Sequence, residues 1–520
     1  MDALQIALYS IVGLLLSKNL MHFFQLDSYQ FPSFFKTLNR NVKHSYLPYL
    51  LLWPLDLLFH FRLIAIENPL LFYICKSAVL LGAAFLMHRK YAIRFAKKPL
   101  VRTARLKRLF VAYTVVLFLF VLIFARLNML WIVIVAYIPV FFAAALLVWP
   151  VEKLISELYF RDARRKLDSM RGLTKVAITG SYGKTSVKNI IGHILNAYTP
   201  TLISPRSFNT PMGLTITIRN QLSPDYRVFV AEMGSRHLGD INELCRLVHP
   251  KIGVISSVGP QHLDTFKSLE NVKKGKYELI QNLPQDGHAF FQDDQSIVRD
   301  MYQQTTLAKT LVSLYDEAAD IYVFDIHVDS RGSRFKIRFQ DEDELDCATV
   351  LLGEHNIKNI ALSAAVCRYL GMPSELICRM ISSIEAIKNR MEIINAGRYT
   401  IINDAFNSNP VGSKEAVNVL AKFPSRKIII TPGMVELGKD ESTLNEAFGK
   451  HIGEHVDIAI LIGKKRTEPI KRGILSAQFP AERLYVVSDL KESTTLLNSI
   501  VQDGDVVLYE NDLPDNYIDA

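Results

Sequence analysis

The residues Thr179–Ser186 read TGSYGKTS. Gly180 and Gly183 let backbone amides approach phosphate oxygens closely, and amides at a helix start point at an anion. Lys184 can set a charge against the outer phosphates, and Thr185 can offer its hydroxyl to Mg2+. The common phosphate-loop spacing asks for another glycine at position 178, where Ile178 stands, so the cradle is shortened rather than removed. The other reading of the stretch is a plain strand–turn–helix junction. Three more residues carry chemistry of the same kind. Glu232 ends the run FVAE, and an acid at the carboxyl end of a parallel strand sits where such sheets bind ligands, suited to Mg2+ directly or through water. Taken alone it is also an ordinary strand-end acid. His262, in SVGPQHLD, follows the next strand at a similar position, and a lone loop histidine is often nothing more. Lys276 falls within the apolar stripe Leu269, Val272, Leu279, Ile280 and Leu283, where an amine must be paired, altered or able to snorkel to water.

Further along, Asn356 and Asn359 open an apolar helix and offer amides that can read an adenine edge or cap the helix. Arg390, Asp404, Asn407 and Asn409 come from KNRMEII and INDAFNSNP. An arginine suits an outer phosphate or acyl phosphate, and Asp404 suits a ribose or a metal.

These residues need elements to hold them. KVAIT reads as a buried strand. After the glycine turn, Val187, Ile190, Ile191, Ile194, Leu195 and Tyr198 recur at helical spacing. YRVFVAEMG and KIGVISSVG read as further buried strands, and strands alternating with helices imply a parallel sheet covered on both faces. Residues 320–340 read instead as a hairpin, IYVFDIHV and RFKIRF around DSRGS. Ser268 is placed to cap the helix that bears Lys276. A second α/β region begins near Arg390 with YTIIND, RKIIITPG, DIAILIG and DVVLYEN.

The first 150 residues have a different texture. The chain has 520 residues, 49% of them hydrophobic, a formal charge of +9 and five scattered cysteines. There is no C-x-x-C pair, which speaks against a disulfide frame or zinc site and fits a reducing compartment. The apolar excess gathers in five segments of about membrane-spanning length, roughly Leu4–Phe24, Tyr46–Ile66, Pro69–Met87, Leu109–Ala125 and Met129–Trp149. Asp56, His60 and Arg62 interrupt the second, so a pair of segments can alternatively form a re-entrant or interfacial hairpin. The stretch from Arg89 to Arg108 is strongly basic, and Lys36, Arg40 and Lys43 lie in the first loop. Five spans keep both loops and everything after Pro150 cytoplasmic; three would also leave the C-terminal part inside. The basic loop is pinned between apolar segments, so a topological role suffices and no nucleic-acid partner is expected. The expected organisation is a transmembrane helical region over 1–150, a linker over 151–172, an α/β domain over 173–388 and a second over 389–520.

TGSYGKT, SFNTPMG, AEMGSRHLGDI, PQHLDTFKSLENVKKGKYELI, GEHNIKNIAL, NRMEI, NDAFNSNP and GMVELG occur in the order of the Mur ligase family, which the chain resembles from about Thr174 to its end. The resemblance is to the MurF-like, UDP-N-acetylmuramoyl-tripeptide–D-alanyl-D-alanine ligase type. That family's loop lacks the earlier glycine, so Ile178 is expected there. The resemblance implies a P-loop central domain with a parallel sheet and a Rossmann-like C-terminal domain, using ATP and Mg2+. The ATP set would be Gly180, Ser181, Gly183, Lys184, Thr185, Ser186, Asn356, Asn359, Arg390, Asp404 and Asn407. Thr185, Glu232 and His262 would serve metal, together with Lys276 as the family's carbamylated lysine. Asn209 and Thr210 match a loop that approaches substrate. Lys184, His262, Lys276 and Arg390 would be catalytic, acting on a carboxylate that is phosphorylated and then attacked by an amine. A hinge near Ala386–Arg390 would let the lobes close.

Two departures stand out. Membrane segments replace the small domain that in soluble members holds the uridine nucleotide. A basic KGSR-like segment near the end is replaced by DVVLYENDLPDNY, with Glu510, Asp512 and Asp515. The expected protein is a multi-pass enzyme of the cytoplasmic membrane with its catalytic domains in the cytoplasm, acting on a small-molecule or lipid-linked precursor in peptidoglycan synthesis. The rival readings are a ligase of another polymer (a poly-amino acid or polyglutamate), a membrane transport or signalling NTPase, and a non-catalytic nucleotide-binding anchor.

Overall fold

Strands buried almost throughout build the part of the chain that carries the phosphate loop. The structure is a computed structural model that describes residues 2–64, 66–93, 98–329, 331–386, 389–405 and 409–512. The strands are β1 Thr174–Thr179, β2 Thr201–Ile203, β3 Val228–Glu232, β4 Ile252–Ile255, β5 His288–Gln292, β6 Ala308–Ser313, β7 Ile321–Asp329, β8 Gly332–Phe339 and β9 Glu344–Thr349. They form one sheet in the order β2-β3-β1-β4-β5-β6-β7-β8-β9. Pairing is parallel through β7 and antiparallel from β7 to β9. The expected hairpin thus extends the parallel sheet and gains a third strand, β9.

The period of two decides which side chain meets which layer. Val176, Ile178, Val228 and Val230 face one core with Val187, Ile190, Ile191 and Ile194 of the helix Lys184–Leu195 and with Ile357, Ile360 and Ala361 of the helix Glu354–Tyr369. Ala177, Phe229 and Ala231 face the other core, with Leu244, Leu279 and Ile280. Both faces are covered, as the continuous apolar strands require. Two expected stripe members fall outside. The helix ends at Leu195, so Tyr198 lies beyond it and is exposed. Leu269 opens the helix Leu269–Gln281 and is also exposed.

A second sheet follows, with β10 Glu392–Asn395, β11 Thr400–Asp404, β12 Lys427–Thr431, β13 Ile458–Ile462, β14 Leu484–Val487 and β15 Val506–Glu510. Its order is β10-β11-β15-β12-β13-β14, parallel except for β10. The register sets Asp404 opposite Glu510 at the carboxyl ends of adjacent strands.

The linker expected over 151–172 is helical. The helix Val133–Ser169 runs through it, and Ala163 and Leu167 join the core beneath β1 and β3. Phe160, Ala163, Leu167 and Met170 recur at three- and four-residue spacing, which explains why these residues are not a coil. By contacts the chain divides near this point, between Glu157 and Leu158.

The part before residue 158 is a bundle of helices. Among the described residues four are long and apolar enough to cross a membrane: Ala3–Leu26, Pro69–Lys90, Ala104–Arg126 and Leu130–Ser169. The second of the five expected spans is only the 14-residue helix Leu47–His60, about 21 Å long against the roughly 30 Å of a hydrocarbon core. It nevertheless runs antiparallel to the first helix. The Tyr49 hydroxyl donates to Leu16 O at 3.1 Å, and seven residues on, Asp56 receives the Tyr9 hydroxyl at 2.6 Å. Asn19 donates to His44 O at 3.1 Å and to Tyr91 O at 2.8 Å, and Gln25 pairs with the backbone of Val101. His44, Tyr91 and Val101 therefore lie at the same end of the bundle. Asp56 and Lys76, both buried, pair at 3.0 Å inside it.

Candidate active site

The phosphate loop is built by the turn from β1 into the helix Lys184–Leu195. Gly180 has φ 153° and Gly183 φ 79°. A Cβ at Gly180 would lie 2.1 Å from Ser256 Oγ, and one at Gly183 would lie 2.7 Å from Asn359 Oδ1. Glycine is required at both by conformation and by space. The segment after β4 clamps the loop. Ser181 N donates to Ser257 O at 2.6 Å, the Ser181 hydroxyl to Gly259 O at 2.9 Å, and the Ser256 hydroxyl to Tyr182 O at 2.5 Å. Lys184 Nζ is folded across the loop, donating to Gly180 O at 2.7 Å and Ser181 O at 2.9 Å. Burial pushes its pKa down to about 8, with Arg390 adding to the shift and Glu232 opposing it. Thr185 and Ser186 lie in the first turn of that helix.

Glu232 ends β3 beside Ile178 of β1 and is buried. Its carboxylate accepts from Lys188 Nζ at 3.0 Å and from Asn209 Nδ2 at 3.0 Å. Burial works against its ionisation, but Lys188, Lys184 and the Asn209 bond outweigh it and hold the carboxyl below its usual range. Asn209 is thereby tied to the strand-end acid, and Gly234 N donates to its carbonyl at 2.9 Å. Thr210 caps the helix Pro211–Gln221, accepting from Gly213 N at 3.2 Å. Lys188 also donates to the carbonyl of Arg206, in the segment that leads to Asn209.

His262 has φ 53° at the start of a single helical turn, Leu263–Phe266. Its Nδ1 meets Glu436 Oε2 at 2.9 Å. Burial lowers its pKa, with Glu436 opposing and Arg236 and Lys276 assisting. Glu436 follows β12, so this contact joins the two sheets' loops across 174 residues of chain. Lys276, on the helix that Ser268 caps, is 1% exposed and donates to Ser235 Oγ at 2.8 Å. Burial and the charge of Lys184 hold its pKa well below the ordinary lysine value, against the pull of Asp240 and Glu278. No carboxylate among the described residues pairs with it.

From the second sheet come Arg390 and Asp404. Asp404 accepts from Met391 N at 3.2 Å. Burial, then Glu510, raise its pKa to about 7 despite Arg390. Burial lowers the Arg390 pKa, and both Glu232 and Asp404 oppose that. Arg390 thus lies in the fields of Lys184 and Glu232 on one side and of Asp404 on the other, which links the start of the second sheet to the phosphate loop.

Other expected residues are placed differently. Asn356 gives its amide to Leu352 O at 2.8 Å, so this side chain serves the start of its own helix rather than projecting into the site. Asn359 is buried against Gly183. Asn407 and part of the expected hinge, 387–388, lie outside the described residues. Glu232, His262, Lys276 and Thr185 do not close into one ligand cage, because Glu232 is engaged by Lys188 and Asn209, and His262 by Glu436. Lys188, Ser235 and Glu436 were not singled out from sequence. Lys188 was within reach of the same reasoning as Lys276, since it lies between Lys184 and Ile191 on one helical face. Glu436 stands within GMVELG but carries no local sign of its distant partner.

Residues 178–367 match the family model of the Mur ligase middle domain, and residues 389–509 that of the Mur ligase glutamate ligase domain. The UDP-N-acetylmuramoyl-tripeptide–D-alanyl-D-alanine ligase of Buchnera aphidicola is 30% identical over 297 residues, which is 57% of this chain and 64% of that one. The enzyme of the same name from Escherichia coli is 29% identical, over 62% of this chain and 74% of that one. The crystal structure of MurF ligase from Thermotoga maritima in complex with ADP superposes with a TM-score of 0.61 at 23% identity, covering 70% of this chain and 81% of that one. With the two matched domains in family order, and the glycine loop and strand ends assembled as that order requires, the chain belongs to the Mur ligase family.

Proposed function

We propose that the protein is a membrane-held, ATP-dependent carboxylate–amine ligase that adds D-alanyl-D-alanine or a similar amine to a muramyl-peptide precursor in peptidoglycan synthesis. The observation that carries the reading is the meeting of Lys184 and Glu232 from one sheet with Arg390 and Asp404 from the other. ATP phosphates would lie against the amides of Gly180–Lys184. Lys184 would exchange its two loop carbonyls for phosphate oxygens, and Arg390 would neutralise charge as the γ-phosphoryl group passes to the acceptor carboxylate. The amine then attacks the acyl phosphate carbon and expels phosphate, forming the amide. Most of the rate would come from positioning and charge neutralisation.

The donor set fits Mg2+. The Glu232 carboxylate is held ionised and the Thr185 hydroxyl follows the loop lysine, which are hard oxygen ligands. Mg2+ supplies neutralisation of phosphate charge when bound there. Lys276 fits the carbamylated lysine of the family, because burial that lowers its pKa favours the free amine, whose lone pair can attack CO2. Its Nζ would bond to the carbon of CO2 and release one proton, leaving a carbamate anion.

The apolar bundle would sit in the cytoplasmic membrane with the end bearing His44, Tyr91 and Val101 on the cytoplasmic side, as the basic sequence around them favours. It would place a membrane-proximal or lipid-linked acceptor before the ligase domains. The decisive experiment incubates the full chain with ATP, Mg2+ and a panel of muramyl peptides and amines, with products read by mass. ATP consumption that requires both a carboxylate and an amine is expected. ATPase activity with neither would overturn the ligase reading in favour of a transport-class NTPase. Full-rate use of a soluble UDP-linked acceptor by protein lacking the bundle would overturn the membrane role.

A further inference from the structure

The helix Glu441–His455 ends in HIGEH, which brings His451, Glu454 and His455 onto one face. A nitrogen from each ring and a Glu454 carboxylate oxygen lie within 4.8 Å of one another, a convergence of three His, Cys, Asp or Glu groups found once among the described residues. The two rings stand 4.2 Å apart between centroids. Both histidines are half-buried and Glu454 is exposed, so solvent reaches the face.

The neighbours fix which ring nitrogens are free. His451 Nε2 meets Asn418 Oδ1 at 2.8 Å, while Asn418 Nδ2 donates to Glu415 Oε1 at 3.2 Å. The amide is therefore turned with its oxygen toward the ring, and Nε2 must carry the proton. That leaves a lone pair on His451 Nδ1. His455 Nδ1 meets His451 O at 2.8 Å, and a carbonyl only accepts, so Nδ1 carries the proton and Nε2 keeps the lone pair. Each imidazole thus donates its spent N–H to an oxygen and offers its other nitrogen, the outer arrangement that orients metal-ligating histidines.

We propose that His451, Glu454 and His455 form a binding site for one late first-row divalent metal ion, with Zn2+ as the representative, completed by water. Two imidazoles and one carboxylate suit Zn2+, Ni2+ or Cu2+ and are a poor set for Mg2+, which takes hard oxygens in octahedral geometry. None of the three residues takes part in the contacts that assemble the phosphate loop, so the site is separate from that of the nucleotide.

The test titrates Zn2+ into the detergent-solubilised full chain in excess Mg2+, by calorimetry, and repeats it with Co2+ while reading its visible absorption. Wild type is expected to bind one more equivalent than H451A/H455A. Asn418→Ala, which frees the His451 ring to turn, is expected to weaken that equivalent about tenfold or more. Zn2+ should raise the thermal midpoint of wild type and leave that of the double variant unmoved. Equal stoichiometry and affinity in wild type and variant would overturn the proposal, as would a wild-type Co2+ spectrum unchanged by the substitutions. If the double variant fails to fold, His455→Ala alone, at the end of the helix, gives the same readings.

Discussion

A lysine is buried in the helical bundle and another in the ligase part, and their surroundings differ. Lys76 meets the buried Asp56 at 3.0 Å, and the Tyr9 hydroxyl donates to the same carboxylate. Lys276 meets only the Ser235 hydroxyl, at 2.8 Å, with the Phe266 ring 5.8 Å away. The first is a matched charge pair, costly to bury but costlier to break. The second has no carboxylate in contact, and burial with the charge of Lys184 holds its pKa down against the weaker pull of Asp240 and Glu278. Lys188 falls on the bundle's side of the comparison, since it has Glu232 at 3.0 Å. A buried lysine with a counter-ion holds a structure together, whereas one without is available for reaction.

The largest expected effect breaks the comparison at Lys276. Lys276→Ala should reduce ligase turnover by at least about 10²–10³-fold, the scale of losing one preorganised charge in a closed site. Adding a small carboxylate such as formate should restore part of it, because the missing group would be the carbamate rather than the amine. A variant with wild-type turnover would show that Lys276 is as structural as Lys76. The matching change in the bundle acts on stability. Asp56→Asn leaves Lys76 buried without its counter-ion and should cost about 3–5 kcal/mol, read as a lower thermal midpoint of the full chain in detergent. The double variant D56N/K76M should recover much of that loss. If D56N instead abolished ligation at unchanged stability, the bundle pair would be part of the chemistry.

The same contrast separates two buried aspartates. Asp56 has a cation in contact, whereas Asp404 has Glu510 beside it and a pKa raised to about 7. A carboxyl that binds its proton more tightly folded than unfolded stabilises the fold fully below its unfolded pKa, near 4, and that contribution is lost as pH rises through about 7. Asp404→Asn should therefore remove up to about 4 kcal/mol of the decline in stability between pH 4 and 8. Denaturant melts across that range check it. An unchanged slope would mean that Asp404 is ionised throughout.

How legible these features were follows from their range. The P-loop strand and helix were plain because Val176, Ala177 and Ile178 alternate between two cores and Val187–Leu195 keep one face, both local patterns. The hairpin at β7 and β8 was equally local. The helix through residues 151–169 was less legible because its stripe of Phe160, Ala163 and Leu167 sits among charges and follows Pro150. The second span proved short because the helix Leu47–His60, which already holds Asp56, ends at His60 just before Arg62. The counter-ions were the least legible. Nothing local to His262 announces Glu436, and nothing local to Glu232 announces Lys188, because each pair is made by the fold closing over distant segments. Lys276 was readable because its oddity, an amine in an apolar stripe, is a property of one helix.

The smallest expected effect is also the most discriminating for that lysine. Ser235→Ala removes the one hydrogen bond that Lys276 makes while leaving its burial unchanged. A neutral amine that loses a hydroxyl partner should cost about 1 kcal/mol, near fivefold in turnover through looser positioning. An ammonium ion would lose the only group that solvates it, and the penalty would approach the several kcal/mol expected for Asp56→Asn. A mild Ser235→Ala beside a severe Lys276→Ala is what a neutral, reactive lysine predicts. Two severe losses, each with a falling thermal midpoint, would instead place Lys276 with Lys76 as a charged residue that the fold depends on.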